Sequence, residues 1–417
     1  MKILLALAIS ASFLTGCTQS NRIISEEFPD SIETVPASLT DYEGGFKIFT
    51  QKELVRGLYE PDTGCYIGAY ILSDKVSGGN ISNFERITAT EHSFYTYILK
   101  IGQPFPSEWM LGCIAKMKTP NIILVPENID EPYNTKLLEE TAKKCGEFSI
   151  PMFVHFYPIE NANSYDAAEY KSFFKIARAY FSQHAPKAAF VWDIHINSLD
   201  LAENLYPGDE STDWVGVNIY MDIEAQTGAL TTGILPKLDY FYYTFQEKKP
   251  LFISQLAISH FSSTDHAYYL KEADTAAREI YLHTANNLPR IKAVNYMSYD
   301  SITPLNMAQG NDNYSVASDS RIANIYKQIV AGDYFLSNLE ATAEGEIFAQ
   351  KLPLPYEAVY HGGNFYADEY CVNLLAKNQS TEMILINDIP YYCLDNAFIN
   401  GDFNRKIIEV RSNLHRQ

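Results

Sequence analysis

The sequence predicts an α/β protein, a closed (β/α)8 or TIM barrel followed by a small C-terminal antiparallel β module. Short runs of apolar, β-branched or aromatic residues recur between residues 65 and 299, without the polar alternation of half-exposed strands. Such runs are typical of parallel strands buried on both faces, and eight of them indicate a closed barrel. The runs are Cys65–Ile71, Tyr95–Ile101, Asn121–Glu127, Pro151–Tyr157, Ala188–His195, Trp214–Tyr220, Pro250–Leu256 and Ile291–Tyr299.

Several gaps between these runs carry apolar residues at helical spacing, which predicts the helices of the barrel. The clearest are Ser107–Lys118, Thr135–Phe148, Ala167–His184 and Tyr269–Leu288. An open, doubly wound sheet is the alternative. That fold normally has a glycine-rich G-x-G-x-x-G loop after its first strand, and the segment YIGAYILSDKVSGGN does not contain one.

The N-terminus has the pattern of an export signal. Lys2 precedes an apolar run from Ile3 to Leu14, too short for a permanent membrane span. The ending Leu14-Thr15-Gly16-Cys17 resembles the bacterial lipoprotein processing box, which implies a signal peptide over residues 1–17 and lipidation of Cys17. We therefore expect a lipid anchor in a membrane of the bacterial cell envelope, at the outer membrane or cell surface.

The remaining chain divides into a polar tether over residues 18–43, a barrel over 44–335 and a β-rich module over 336–417, where period-two segments replace the helical patterns. A disulfide between Cys371 and Cys393 is predicted there, because both lie in apparent strands of an exported chain. In the same module, Phe365, Tyr366 and Tyr370 could form a platform for stacking on sugars or could pack against the barrel.

Composition excludes some classes of partner. The net charge of −19 repels phosphate backbones, so nucleic acid is not expected as a partner. Cysteines and histidines show no metal-ligand spacing, and neither a metal nor a cofactor is predicted. The 30 tyrosines, against three tryptophans, are suited to sugar binding as well as to packing.

In a (β/α)8 barrel the reactive side chains lie at the carboxyl ends of the strands. Here those ends carry aromatic, amide and acidic residues without a cationic cluster, which suits a neutral, polyhydroxylated ligand such as a polysaccharide or oligosaccharide. The candidate binding residues are Glu127, Asn161, Trp192, Asp193, Tyr220 and Tyr296, with Glu160, Gln255, Tyr299 and Asp300 at neighbouring strand ends.

Over residues 65–300 the chain resembles the β-mannanase-like glycoside hydrolases of family 26. The most specific segments are Tyr206–Asp209 leading into Asp213–Val217, and the sequence APKAAFVW ending at Trp192. The resemblance implies a retaining mechanism with an acid/base glutamate after strand four and a nucleophilic glutamate ending strand seven.

Both catalytic positions depart from the family pattern. The strand-seven pattern Ile-Ser-Glu-Phe corresponds here to Ile253-Ser254-Gln255-Leu256, so the nucleophile position is an amide that cannot ionise. After strand four, the pattern Arg-Phe-x-x-Glu-Met-Asn overlays on HFYPIEN with Ile159 at the glutamate and Glu160 one residue later. Glu160 is kept as the candidate acid/base.

Three hypotheses follow for function. The first is a surface-anchored glycan-binding protein whose hydrolysis is weak or lost. The second is an active glycosidase using other groups, either a substrate acetamido group or acids among Glu127, Glu160, Asp193 and Asp300. The third is a structural or interaction lipoprotein in which the barrel serves only as a scaffold.

Overall fold

The structure, a computed structural model, places a parallel β-barrel next to a separate, mostly antiparallel sheet. It describes residues 38–125, 135–156, 166–224, 227–302, 310–340, 342, 344–375, 382–395 and 397–411. The barrel strands are β2 (Cys65–Tyr70), β3 (Phe94–Lys100), β4 (Thr119–Val125), β5 (Met152–Phe156), β6 (Ala188–His195), β7 (Trp214–Met221), β10 (Leu251–Ile258) and β13 (Ile291–Met297), numbered together with the strands outside the barrel.

These strands pair in parallel in sequence order, and β13 pairs with β2 to close the ring. All eight predicted strands are therefore confirmed, and the open sheet is excluded. The helices are α1 (Ile81–Thr88), α2 (Ser107–Ala115), α3 (Thr135–Phe148), α4 (Ala167–His184), α5 (Ala202–Leu205), α6 (Ile234–Phe245), α7 (Leu270–Asn287), α8 (Ser320–Ile329) and α9 (Glu369–Leu375).

Helix boundaries follow local chemistry. Asn80, Asp166 and Asp319 each accept a hydrogen bond from a backbone N–H of the first turn, at α1, α4 and α8. The apolar faces of these helices then pack on the barrel, as Phe173, Phe174, Ala177 and Phe181 of α4 do. The four predicted helices correspond to α2, α3, α4 and α7.

The barrel interior is layered. Near the amino ends of the strands, large aromatic side chains cross edge to face, with ring centroids 5.3 Å apart for Phe153–Trp214 and 5.4 Å apart for Phe94–Phe252. A polar layer lies above them, and a second aromatic cluster occupies the carboxyl ends. The apolar lower layer closes the barrel at one end, so a ligand can approach from the other.

Short strands lie in the connecting loops. They are β8 (Ile223–Glu224), β9 (Ala229–Leu230), β11 (Phe261–Ser262), β12 (Ala267–Tyr268) and β14 (Asp312–Asn313), while β15 (Phe335–Leu336) pairs with β2 outside the ring. The strands β11, β12 and β14 form a small sheet that holds the loops after β10 and β13 together.

The second sheet includes a strand from the N-terminal side of the barrel. It contains β1 (Glu43–Val55), β16 (Ile347–His361), β17 (Asn364–Asp368), β18 (Met383–Ile386), β19 (Ile389–Cys393), β20 (Phe398–Asp402) and β21 (Ile407–Val410). The predicted boundary at residue 44 is therefore wrong for β1, which pairs antiparallel with β16 and parallel with β21. We call this seven-stranded sheet with α9 the β module.

Two further expectations for the β module are wrong. The segment Glu369–Leu375 is a helix, because Asp368 accepts a hydrogen bond from the Cys371 N–H and the buried residues Cys371, Val372 and Leu375 share one helical face. Cys371 and Cys393 are both free and buried, as are Cys65, Cys113 and Cys145. β18 and β19 form a hairpin that is joined at Asn387 and Asp388, both with positive φ.

The β module packs on the amino-terminal face of the barrel. Arg290, directly before β13, donates to the Val55 carbonyl at the end of β1, and Gln246 donates to the carbonyl of Pro353 in β16. Arg290 also forms a fully buried ion pair with Glu60, with Nε and Oε1 3.1 Å apart. These contacts place the β module at the end of the barrel opposite to the strand carboxyl ends.

Among the described residues, no helix is both long and apolar enough to span a bilayer.

Candidate functional site

A cluster of aromatic side chains covers the carboxyl end of the barrel interior. Tyr70, Ala257, Met297 and Tyr314 are buried there, and Leu72, Ile98, Tyr220 and Tyr299 pack on them while keeping part of their surface exposed. We call these eight residues the aromatic cluster. Rings exposed in this way can cover the apolar face of a sugar while their hydroxyls form hydrogen bonds.

Gln255 lies beside this cluster and is held by one of its members. The Tyr220 hydroxyl donates to Gln255 Oε1 at 2.5 Å, and only 6% of Gln255 is exposed. A β-bulge sets the direction of the side chain: Ile253 pairs with Val217 and Gln255 with Asn218, so Ser254 is the extra residue of β10. Ser254 and Gln255 therefore both face the barrel interior.

Acidic groups surround the aromatic cluster. The Tyr314 hydroxyl donates to Asp222 at 2.5 Å, and burial together with this carboxylate raises the pKa of Tyr314 well above its usual range. Asp312 accepts from Ser259 and from the Ile223 N–H, and burial raises its pKa. Their charge is negative, which disfavours an anionic ligand.

His195 ends β6 close to these acids. Burial lowers the pKa of its imidazole, although Asp222 acts in the opposite direction. Its Nδ1 accepts from the Asn197 N–H, which fixes the ring at the strand end. A neutral imidazole adds no positive charge to the site.

A chain of buried polar side chains crosses the barrel below Gln255. Asn121 donates to Thr96 at 2.9 Å, and Thr96 donates to Asn295 at 2.8 Å. On the other side, His155 Nε2 lies 2.8 Å from Asn121 Oδ1, and His155 Nδ1 lies 2.7 Å from Asp193 Oδ2. Because Asn121 uses its nitrogen toward Thr96, its oxygen must accept, so His155 carries a proton on Nε2.

This chain of polar side chains ends at atoms that have no hydrogen-bond partner among the described residues. They are Asp193 Oδ1, Ser254 Oγ and both amide atoms of Asn218, all buried. Asp193 Oδ1 and Ser254 Oγ lie next to Gly216, where a Cβ would overlap both of them. Glycine is therefore required at residue 216 for the close approach of β6 and β10 side chains.

The structure assigns the predicted site residues to different places. Gln255 and Tyr220 are in contact at the aromatic cluster, as expected for side chains at the carboxyl ends of neighbouring strands. Asp193 is in the polar chain and fully buried, so it does not face a ligand. The structure contradicts the ligand-binding role predicted for Trp192 and Tyr296: they point outward, Trp192 against Tyr206 and Phe245, and Tyr296 against Tyr326 of α8.

Strand alternation explains this correction. Val191 and Asp193 face the interior of β6, so Trp192 between them faces the helices, and the same applies to Tyr296 between Asn295 and Met297. The predicted residues Cys17, Glu127, Glu160 and Asn161 lie outside the described residues.

Three residues of the site were not predicted from the sequence. Tyr70 ends the first barrel strand, so its position on the strand was a usable signal. Asp222 and Tyr314 lie in loops, where no periodicity identifies a neighbour, and the contact between them joins residues 92 positions apart.

Other features lie away from the strand ends. A cavity of about 620 Å³ lies between α6 and α7, lined mainly by apolar residues such as Leu230, Ile234 and Ile280. In the β module, Glu382, Cys393 and Asp395 place possible ligand atoms within 4.8 Å of one another. Burial raises the pKa of the Cys393 thiol, which opposes its use as a metal ligand. In the same module Phe365 and Tyr366 are buried on opposite faces, so they do not form a stacking platform.

Neither a family model nor a curated protein matches the sequence. Among solved structures, the chain is similar to a GH113 β-1,4-mannanase, with 11% identity and a TM-score of 0.43 over 66% of this chain and 99% of that one. It is also similar to an endo-1,4-β-xylanase from Caldicellulosiruptor owensensis, with 12% identity and a TM-score of 0.47 over 64% and 96%.

A β-glucuronidase from Bacteroides uniformis is similar at 11% identity, with a TM-score of 0.46 over 76% of this chain and 47% of that one. These similarities are too distant to assign a family or an activity. The class that the structure itself defines is a (β/α)8 barrel with an appended β module, and membership of glycoside hydrolase family 26 stays a prediction.

Proposed function

We propose that this protein is a surface-anchored, glycoside-hydrolase-like lipoprotein that binds a polysaccharide or oligosaccharide and hydrolyses it weakly or not at all. The observation that carries the proposal is Gln255, held by the Tyr220 hydroxyl beside the aromatic cluster at the carboxyl end of β10. This is the place where a barrel glycosidase of the retaining type needs a carboxylate.

Binding is supported by the surroundings of Gln255. Tyr220 and Tyr299 keep exposed ring surface, and Asp222 offers a hydrogen-bond acceptor nearby. Aromatic faces next to polar groups are the usual lining of sites for neutral sugars. The acidic neighbours Asp222 and Asp312 support a neutral ligand over an anionic one.

Loss of hydrolysis follows from the chemistry of an amide. Gln255 has the length of a glutamate, but it can neither form nor release a glycosyl ester. Asp193, one of the alternative acids, is completely buried and hydrogen-bonded to His155, so it does not offer a substitute nucleophile.

The test is a pair of measurements on one panel of β-1,4-linked mannan, glucan and xylan oligosaccharides. We expect calorimetric binding of at least one of them without release of reducing sugar. Gln255→Glu restores a carboxylate, and we expect measurable hydrolysis from it only if Glu160 serves as the acid. Gln51→Glu makes the same change on the exposed side of β1 and is the matched control.

Turnover by the wild-type protein that persists in Gln255→Ala would place the chemistry elsewhere and end the proposal of lost catalysis. An absence of binding to every glycan tested would instead favour the scaffold hypothesis.

A further inference from the structure

We propose that Gln255 selects a glycan with a 2-acetamido group, that is, an N-acetylated hexosamine unit, by donating an amide N–H to the acetamido carbonyl. The inference rests on the proposed glycan-binding function and adds the class of sugar. It starts from the direction of the hydrogen bond between Tyr220 and Gln255.

That direction fixes which end of the amide faces the ligand. The Tyr220 hydroxyl donates to Oε1, so the oxygen of Gln255 is already engaged. The nitrogen Nε2 has no hydrogen-bond acceptor among the residues that the structure describes, and it retains accessible surface. Gln255 therefore presents a donor at the place where a glutamate would present an acceptor.

A donor at this position favours a ligand atom that only accepts, such as a carbonyl oxygen. Sugar hydroxyls both donate and accept, so they can bind either a carboxylate or an amide nitrogen. A carbonyl cannot donate, so a carboxylate repels it whereas an amide N–H binds it. In neutral glycans, the acetamido group supplies such a carbonyl.

The neighbours of Gln255 suit the rest of an acetamido group. Ala257 lies two residues further on the same face of β10, and Met297 is beside it in the aromatic cluster. Both side chains are buried, and the partly exposed Leu72 and Ile98 of the same cluster offer apolar surface for a methyl. A uronic acid also carries an acceptor-only group, but the acidic residues Asp222 and Asp312 disfavour its negative charge.

Two trisaccharides test the inference, because N,N′,N″-triacetylchitotriose and cellotriose share the β-1,4 linkage and differ only at carbon 2. We expect wild-type protein to bind triacetylchitotriose about tenfold more tightly by calorimetry, the effect of one hydrogen bond and a buried methyl. Gln255→Glu should abolish this preference by weakening triacetylchitotriose about tenfold, with cellotriose affected less than threefold.

The control Gln51→Glu should keep the wild-type preference, and unchanged thermal unfolding of each variant should verify its fold. Equal or tighter binding of cellotriose by wild type, or an unchanged ratio in Gln255→Glu, would overturn the acetamido inference while leaving glycan binding intact. Binding to neither trisaccharide nor to any glycan of the wider panel would overturn the proposed function itself.

Discussion

At the scale of single residues, the centre of the barrel depends on polar groups that satisfy one another. His155 and Asp193 are both completely buried, and each joins a different barrel strand to the polar chain. Isolated buried charges are costly, but a pair whose two members are hydrogen-bonded to each other is tolerated. Removing one partner leaves the other unpaired in a site that water cannot easily reach.

Asp193→Ala should therefore lower the free energy of unfolding by about 3 kcal/mol, because it leaves His155 Nδ1 without its partner. Asp200→Ala removes an exposed carboxylate and should change it by less than ~0.5 kcal/mol. Urea denaturation of both variants checks this. Equal effects of the two substitutions would mean that the buried pair contributes nothing to stability.

Gln255 and Trp192 show how much of the candidate site could be predicted from the sequence. Gln255 could be predicted as a site residue because the apolar run before it identifies a strand end. The sequence also shows directly that a glutamine replaces the glutamate of the family pattern. Its inward direction depends on the bulge at Ser254, which has no such signal. The prediction for Trp192 was wrong for a related reason. Its position near a strand end was correct, but the pleat of the strand directs its side chain to the outside of the barrel.

At the scale of elements, the amino ends of the barrel strands hold several buried charges. Arg290, directly before β13, forms an ion pair with Glu60. Lys292 is the second residue of β13, and its side chain donates to the Asp62 carbonyl. Burial lowers the pKa of Lys292 from 10.5 to about 8. A lowered pKa in the folded state means that folding disfavours the charged form of this lysine.

The contribution of Lys292 to the free energy of unfolding depends on pH. Above pH 10.5 Lys292 is neutral in both states and costs nothing, and the cost develops as the pH falls from 10.5 toward 8. Lys292→Met should therefore exceed the wild type in unfolding free energy by about 2 kcal/mol near pH 7 and lose this advantage by pH 10.5. Denaturant titrations across that range measure the difference, with the exposed Lys271→Met as control.

A constant difference in unfolding free energy between Lys292→Met and wild type over the whole pH range would contradict a lowered pKa of Lys292.

The elements also show where sequence patterns were insufficient. The barrel strands were found from composition alone, since burial on both faces makes them continuously apolar. The partner of β1 was not, because β16 lies about 300 residues later in the chain and sheet pairing over such a separation has no local signature.

At the scale of the whole molecule, the proposed lipid anchor would decide where the protein acts. The processing box at Leu14–Cys17 predicts a lipidated N-terminus. Cys17→Ala should move the protein from the membrane fraction to the soluble fraction, or leave an unprocessed precursor, on fractionation and immunoblotting. A variant that is processed and membrane-bound like the wild type would contradict lipidation at Cys17.

The position of the β module decides which way the barrel opens. Residues 38 and 39 pair with β18, so the first described residues of the chain lie in this module, at the amino-terminal face of the barrel. The barrel strands then run away from it for up to eight residues, or ~26 Å. In a protein tethered by its N-terminus, the module is the spacer nearest the lipid, and the aromatic cluster faces outward, where long polymers can reach it without threading between protein and membrane.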